Sequence, residues 1–134
     1  MFAHCTVLHI DDEPDDSALF HRALSRLGFS GEYRHFTRAE EAIAHLSAAQ
    51  TPPQLIVTDS QLPTGGAIDV IQWVRKNPSL AQVPVVVFSG TVDPGLQRAA
   101  FERGATAFFS KSGNLERIAE AIRTLVERSC ETAA

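Results

Sequence analysis

The stretch VPVVVF, at residues 83–88, is β-branched and almost continuously apolar, as is typical of a strand buried on both faces of a sheet. Four further short runs are predicted to be strands of the same buried kind, at residues 5–10, 32–36, 55–58 and 107–109. Apolar residues recur at helical spacing between and after them, at about residues 14–28, 37–46, 67–76, 94–104 and 114–128. Strands that alternate with helices predict an α/β fold of (βα)5 type, with a parallel sheet between two layers of helices.

Residues at the helix ends support these boundaries. Thr37 and Glu40 have the spacing of a capping box at the start of the second helix. Asp93 is the expected N-cap of the fourth helix, with Pro94 at its first position and Gly104 just past its end.

Polar residues stand where the predicted strands end. They are Asp11 and Asp12 after the first strand, Asp59 after the third, Ser89, Gly90 and Thr91 after the fourth, and Lys111 after the fifth. In a doubly wound sheet, ligands bind beyond the carboxyl ends of the strands, so these groups are expected to converge on one edge.

Three carboxylates that share a pocket repel one another unless a cation joins them. Oxygen ligands suit a hard ion such as Mg²⁺, which binds one or two carboxylates and keeps waters for a phosphate. Asp59 has the chemistry of a carboxylate nucleophile, and Lys111 and Ser89 supply a cation and a hydroxyl donor for phosphoryl oxygens. The residues therefore favour phosphoryl transfer with Mg²⁺.

The acidic stretch IDDEPDD, at residues 10–16, is predicted to have two roles. Asp11 and Asp12 are assigned to the metal. Glu13, Asp15 and Asp16 lie around the first turn of the helix that begins at Pro14, where acids interact favourably with the helix dipole.

The sequence resembles the response regulator receiver domains of two-component signalling, the CheY-like proteins, over about residues 6–126. The motifs that carry the resemblance are IDD at residues 10–12, TDSQLP at 58–63, VVVFSG at 85–90 and GATAFFSKS at 104–112. The resemblance implies a flavodoxin-like three-layer sandwich with strand order 2-1-3-4-5, one receiver domain in residues 1–134, and no output domain.

The resemblance also implies a role for each site residue. Asp59 corresponds to the phospho-acceptor, Asp12 to the direct Mg²⁺ ligand and Asp11 to a ligand acting mainly through water. The backbone carbonyl of Gln61 would complete the protein ligands. The phosphoryl group would meet Lys111 and the loop amide at Gly90, while Ser89 and Phe108 would be the switch hydroxyl and the switch aromatic.

The expected activity is that of a phosphorylation switch, which promotes its own phosphorylation and dephosphorylation and is not otherwise an enzyme. Its partner would be a sensor histidine kinase or a phosphotransfer protein. The segments KNPSLAQVPVVVFSG and FSKSGNLERI are similar to the single-domain regulators that accompany bacterial phytochromes, which suggests a bacteriophytochrome as the phosphodonor. The fourth helix, fifth strand and fifth helix would form a partner surface or a homodimer surface.

Two features depart from the family pattern. Ser112 follows Lys111 where proline is usual, often after a cis bond, so the geometry there is left open. The Gly65-Gly66 pair comes one place early, with Ala67 where glycine is usual, and is expected to form a plain turn. Gln61 and Thr91 occupy positions that tune the dephosphorylation rate in the family.

The composition and charge of the chain limit its possible partners and its possible location. A net charge of −4 with dispersed basic residues argues against nucleic acid, and no apolar run reaches the length of a membrane span. The chain lacks a signal-peptide pattern, so a cytoplasmic location is expected. Cys5 and Cys130 are expected to be free thiols, and His9 a core histidine with its hydrogen bonds satisfied.

Two other function classes use similar residues. A haloacid dehalogenase-like phosphatase combines an aspartate nucleophile with Mg²⁺, but it needs a second aspartate as general acid where this chain has Gln61. A flavodoxin-like FMN binder offers hydroxyls and amides to a phosphate in its first loop, whereas Asp11, Asp12 and Glu13 would repel one.

Overall fold

The computed structural model describes residues 5–62, 66–90 and 93–133, with side chains as far as residue 128. Within these residues the strands are β1 (Thr6–Ile10), β2 (Glu32–Phe36), β3 (Leu55–Asp59), β4 (Val85–Ser89) and β5 (Ala107–Ser110). The helices are α1 (Pro14–Arg26), α2 (Ala39–Ala48), α3 (Ala67–Lys76), α4 (Pro94–Arg103) and α5 (Leu115–Ala133). The predicted (βα)5 order is confirmed. Among the described residues, every helix is too short or too polar to cross a bilayer.

The strands form one parallel sheet in the order β2-β1-β3-β4-β5, as the family resemblance implies. The winding reverses between β1 and β3, so the carboxyl ends of these two strands flank the crevice where ligands bind in such folds. In the register Ile10 lies beside Thr58, and Asp59 lies beside Phe88. The residues that follow β1 and end β3 therefore stand at the same level of the sheet edge.

Two apolar clusters lie on opposite faces of the sheet and define its three layers. One joins the sheet to α2, α3 and α4, and the other joins it to α1 and α5. Successive residues of a strand alternate between the clusters, so that Val57 faces one and Ile56 the other. Burying an aliphatic side chain of this size stabilises the fold by about 1.5–3 kcal/mol.

The prediction that all five strands are buried on both faces is correct for the centre of the sheet only. Every residue of β3 and β4 is buried, whereas β2 and β5 are the sheet edges and remain partly exposed. In β2 the side chains of Glu32 and Arg34 face solvent and form an ion pair of 2.7 Å. An edge position, which the apolar pattern of one strand does not reveal, explains the difference.

The fourth helix begins and ends as predicted. The carboxylate of Asp93 accepts hydrogen bonds from the amides of Gly95 and Leu96, at 2.9 and 3.4 Å. Gly104 ends the helix with φ of +112°, a left-handed conformation that favours glycine.

The capping box predicted at Thr37 is wrong. The helix begins at Ala39, so Arg38 is the N-cap residue, and its side chain makes no capping bond. The carboxylate of Glu40 instead accepts a hydrogen bond of 2.6 Å from the Arg38 guanidinium.

The expectation of a free thiol is also wrong for Cys5, which is disulfide-bonded. The side chain of Cys130 lies outside the described residues. Cys5 is buried directly before β1, in the cluster that contains Ile122 and Val126 of α5. The prediction used the redox state expected of the compartment and the separation of the two cysteines in sequence, neither of which shows which segments pack together.

Candidate functional site

Three carboxylates meet at the carboxyl edge of the sheet. Asp11 and Asp12 directly follow β1, Asp59 is the last residue of β3, and one ligand atom from each lies within 4.8 Å of the others. The structure therefore brings together the three acids that were assigned to a metal. Asp11 is fully buried, Asp59 is nearly so, and Asp12 is exposed.

The ammonium of Lys111 lies among these acids. Its Nζ is 2.9 Å from Asp11 Oδ2, 3.1 Å from Asp59 Oδ2 and 2.9 Å from Asp16 Oδ2. Burial lowers the pKa of Lys111, but hydrogen bonds to Asp16, Asp11 and Asp59 outweigh it and raise the pKa above its ordinary value. Lys111 is therefore charged at neutral pH and partly balances the acids.

Asp16 belongs to the site, which the sequence reading missed. It was assigned to the helix dipole, yet its carboxylate contacts Lys111 from the first turn of α1. The sequence carries no signal for this contact, because it depends on how α1 is oriented relative to the loop after β5.

Asp11 is held rigidly. Its Oδ1 accepts a hydrogen bond of 2.8 Å from the amide of Glu13, and its backbone carbonyl lies 2.7 Å from His35 Nε2. Burial raises the pKa of Asp11, although the Glu13 amide and Lys111 oppose the shift. A buried carboxylate with a raised pKa is one that a nearby cation stabilises strongly.

The buried ring of His9 lies near the Asp11 carboxylate, and only one of its two nitrogens is hydrogen-bonded among the described residues. Its Nδ1 is hydrogen-bonded to the Tyr33 hydroxyl, while its Nε2 lies 3.7 Å from Asp11 Oδ2 and has no hydrogen-bond partner in the part of the chain that the structure describes. Burial, with smaller contributions from His35 and Lys111, lowers the pKa of His9 to about 3. The ring is therefore neutral at physiological pH, and the expectation of a fully satisfied core histidine is wrong.

A cavity of about 380 Å³ opens between these residues and is called the acidic pocket below. Its lining consists of Asp12, Glu13, Asp59, Ser60, Gln61, Leu62, Gly90 and Lys111. Five of the eight residues predicted for the site line it, whereas Asp11, Ser89 and Phe108 do not.

The two residues expected to act as the switch, Ser89 and Phe108, do not line the acidic pocket. Ser89 is fully buried, and its Oγ lies 2.7 Å from the Oγ of Ser60. Phe108 is partly buried and packs against the cluster that α3 and α4 share with the sheet. Ser60 was not predicted as a site residue, and only the proximity of the ends of β3 and β4 reveals its contact with Ser89.

The described residues at the two ends of the loop after β3 contact each other. The amide of Gln61 lies 3.4 Å from Asp59 Oδ1, and Gln61 forms an antiparallel bridge with Gly66. A Cβ added to Gly66 would lie 2.6 Å from the carbonyl oxygen of Ser60, so this turn needs glycine for close approach. Gly65 and Thr91, for which the sequence predicts a turn and a rate-tuning position, lie outside the described residues.

The loop after β5 contains no cis bond. The described residues have only trans peptides, the Lys111-Ser112 bond among them. The Lys111 amide donates to the Ser89 carbonyl at 2.7 Å, and the hydroxyls of Ser110 and Ser112 lie 2.7 Å apart. Lys111 thus reaches the acids although serine replaces the usual proline.

The fold and pocket define a class of doubly wound α/β proteins that gather carboxylates and one ammonium at the switch point of the sheet. The family model of the response regulator receiver domain matches residues 7–123. The chain belongs to this family.

Known relatives agree with this assignment. The chain is 26% identical over 120 residues to the probable chemotaxis protein CheY of Rhizobium etli, covering 89% of this chain and 90% of that protein. It is 30% identical over 118 residues to the response regulator protein PilR of Pseudomonas aeruginosa, covering 87% of this chain. The crystal structure of the phosphorylated cyanobacterial phytochrome response regulator RcpA has 25% identity and a TM-score of 0.81, with 98% of each chain covered.

Several curated relatives are much longer proteins. The chain spans 25% of PilR and 26% of each of two further relatives. The likeness to those proteins therefore concerns the receiver domain, and it carries no information on their other activities.

The residues present fit a hard divalent cation. The donor set consists of oxygen atoms from three carboxylates within 4.8 Å of one another, and the exposed one, Asp12, lines the acidic pocket. Oxygen-only donors beside a water-accessible pocket are what Mg²⁺ requires, because it keeps part of its hydration shell.

Millimolar Mg²⁺ is expected to raise the melting temperature of the protein by a few degrees. A ligand at 10 to 100 times its dissociation constant stabilises the native state by roughly 1.4–2.7 kcal/mol, and the cation also relieves repulsion among the acids. Asp12→Asn should reduce the shift, whereas Asp69→Asn, an exposed acid on α3, should retain it. Calorimetry with and without Mg²⁺ measures the effect, and its absence in the unmodified protein would count against the site.

Proposed function

We propose that this chain is a single receiver domain, with its core at residues 6–126, that accepts a phosphoryl group on Asp59. Mg²⁺ would be held by Asp11, Asp12, Asp59 and the carbonyl of Gln61. The observation that carries the proposal is the position of Asp59, which lines the acidic pocket with its Oδ2 3.1 Å from an ammonium and two further carboxylates alongside. No other described aspartate combines a place in the pocket with near-complete burial.

The proposed reaction is an in-line displacement at phosphorus. An Oδ atom of Asp59 forms the new phosphorus–oxygen bond while the phosphorus–nitrogen bond to the donor histidine breaks, and the bonding electron pair stays on the imidazole. Bound Mg²⁺ would neutralise charge on the phosphoryl oxygens. The Lys111 ammonium would pair with another of these oxygens, and the Ser89 hydroxyl and Gly90 amide would donate to the rest.

The proposed response is a change of surface at α4, β5 and α5. Phe108 lies on β5 and would turn inward as Ser89 moves toward the phosphoryl group. The exposed Phe101 on α4 offers apolar area to a partner or a second copy of the chain. This surface, and not DNA binding, would carry the signal in the cytoplasm.

A histidine kinase or a phosphotransfer protein would donate the phosphoryl group. The likeness to RcpA, a phytochrome response regulator, supports a photosensory kinase as the donor. This part of the proposal is tested by incubating the protein with a radiolabelled bacteriophytochrome kinase and following transfer of the label.

Acetyl phosphate with Mg²⁺ is expected to add one phosphoryl group to the protein, in a bond that hydroxylamine cleaves. EDTA should prevent the reaction, because three carboxylates would otherwise repel the incoming phosphate. Intact-mass spectrometry measures the product. An unchanged mass with Mg²⁺, or equal labelling in EDTA, would overturn the proposal.

The haloacid dehalogenase-like alternative receives no support from the known relatives. Gln61 stands where that class needs its general acid, and an amide cannot supply the proton. Turnover of an aryl phosphate would distinguish the two classes, since the receiver is expected to release none catalytically.

A further inference from the structure

The hydroxyls of Ser60 and Ser89 form a hydrogen bond next to the acidic pocket. Asp59 pairs with Phe88 across β3 and β4, so the residues that follow each of them come side by side. Their Oγ atoms are 2.7 Å apart, with Ser89 0% and Ser60 7% exposed. Ser60 lines the pocket and Ser89 does not. The hydroxyl expected to contact the phosphoryl group therefore lies outside the pocket and is bonded to a residue at its wall.

We propose that Ser60 is a positioning residue that holds the Ser89 hydroxyl out of the acidic pocket until Asp59 is phosphorylated. The inference rests on the proposed function, because it assumes that Ser89 moves to a phosphoryl oxygen. Ser60 then sets how readily the chain enters the phosphorylated conformation.

The backbone of Ser60 is fixed, so this bond must break when Ser89 moves. The Ser60 carbonyl accepts a hydrogen bond of 3.3 Å from the Ala67 amide at the start of α3. Gly66 packs so closely on the same carbonyl that a Cβ there would be 2.6 Å away. These two contacts hold the Ser60 backbone in place, so Ser60 cannot follow Ser89 toward the phosphoryl group by a shift of its backbone.

The hydrogen bond between Ser60 and Ser89 is present only in the unphosphorylated conformation, so it is expected to disfavour the phosphorylated one. A buried hydroxyl pair favours the state that contains it by roughly 5-fold in an equilibrium constant. The protein then binds the phosphoryl group more weakly by the same factor. The reason is that the observed affinity falls in proportion to the fraction of molecules in the conformation that can bind it. Removing the Ser60 hydroxyl therefore removes the cost contributed by this hydrogen bond.

The test measures binding of fluoroberyllate with Mg²⁺, a stable mimic of the phosphoryl group, by ¹⁹F NMR. Ser60→Ala is expected to bind roughly 3–10-fold more tightly than the unmodified protein. Ser60→Thr keeps the hydroxyl and should restore the original affinity. Ser47→Ala, whose hydroxyl bonds within α2, is the matched control and should change nothing. In a Ser89→Ala background, Ser60→Ala should have no further effect.

A second readout needs neither metal nor phosphate. Urea unfolding in EDTA of Ser60→Ala, Ser89→Ala and the double variant should show coupling of a few-fold in the unfolding equilibrium constant. Zero coupling would overturn the inference, because the hydroxyls would not then stabilise one another.

The binding results distinguish failure of the inference about Ser60 from failure of the proposed phospho-acceptor function. Equal or weaker binding by Ser60→Ala, when the unmodified protein binds fluoroberyllate, would overturn the inference and leave the phospho-acceptor role intact. Failure of the unmodified protein to bind fluoroberyllate would overturn both. Circular dichroism of each variant confirms folding, and Ser60→Gly, which also lacks the hydroxyl, replaces Ser60→Ala should the latter unfold.

Discussion

Asp59→Asn is expected to reduce labelling by acetyl phosphate to below detection, a loss of at least about 1,000-fold. An amide oxygen is a far weaker nucleophile than a carboxylate, and no other carboxylate combines the burial of Asp59 with its place in the acidic pocket among the described residues. The substitution keeps the shape of the side chain and removes one of three mutually repelling charges, so the variant is expected to fold. Intact-mass spectrometry after a fixed reaction time gives the labelled fraction.

Asp69→Asn is the matched control for this experiment. It makes the same chemical change at an exposed site on α3, outside the acidic pocket, and should be labelled at the original rate. Labelling that persists in Asp59→Asn would place the acceptor elsewhere. Asp12 would then be the first residue to examine, since it also lines the pocket.

The sequence predicts the fold and most of the acidic pocket because the two are linked by one geometric rule. Parallel strands all end at the same edge of their sheet, so a residue that directly follows a strand can be placed without knowing how the helices pack. Asp11 and Lys111 directly follow strands and Asp59 ends one, and the Lys111 ammonium lies within 3.1 Å of both carboxylates. The strand order came from the family resemblance, because spacing alone does not define it.

Apart from the capping box at Thr37, the residues missed or misjudged depend on contacts between elements. Asp16 contacts Lys111 across the gap between α1 and β5, and Ser60 contacts Ser89 across two strand ends. Cys5 is disulfide-bonded for a similar reason, since pairing follows from packing. The exposure of β2 reflects its place at the sheet edge. Local sequence patterns do not show which distant parts of the chain come into contact.

Lys111→Met is expected to destabilise the metal-free protein by about 3–5 kcal/mol at pH 8, the usual cost of leaving a buried charge unpaired. The ammonium lies 2.9 Å from Asp11, which is fully buried, and methionine retains the apolar part of the side chain without the charge. Labelling by acetyl phosphate should fall by roughly 100–1,000-fold, because phosphoryl oxygens lose a cation. Urea unfolding in EDTA and the labelling rate measure the two effects.

Two conditions are expected to restore stability in Lys111→Met, and both follow from the charge on Asp11. Mg²⁺ supplies a replacement cation. Lowering the pH also helps, because the pKa of Asp11 is raised in the folded state, so the native state binds more protons than the unfolded chain and gains stability as pH falls. Lys76→Met, an exposed lysine at the end of α3, should show neither the loss nor the recovery. If Lys111→Met in EDTA is as stable as the unmodified protein, the prediction is wrong. The ammonium is then not needed to balance the charge of the buried acids.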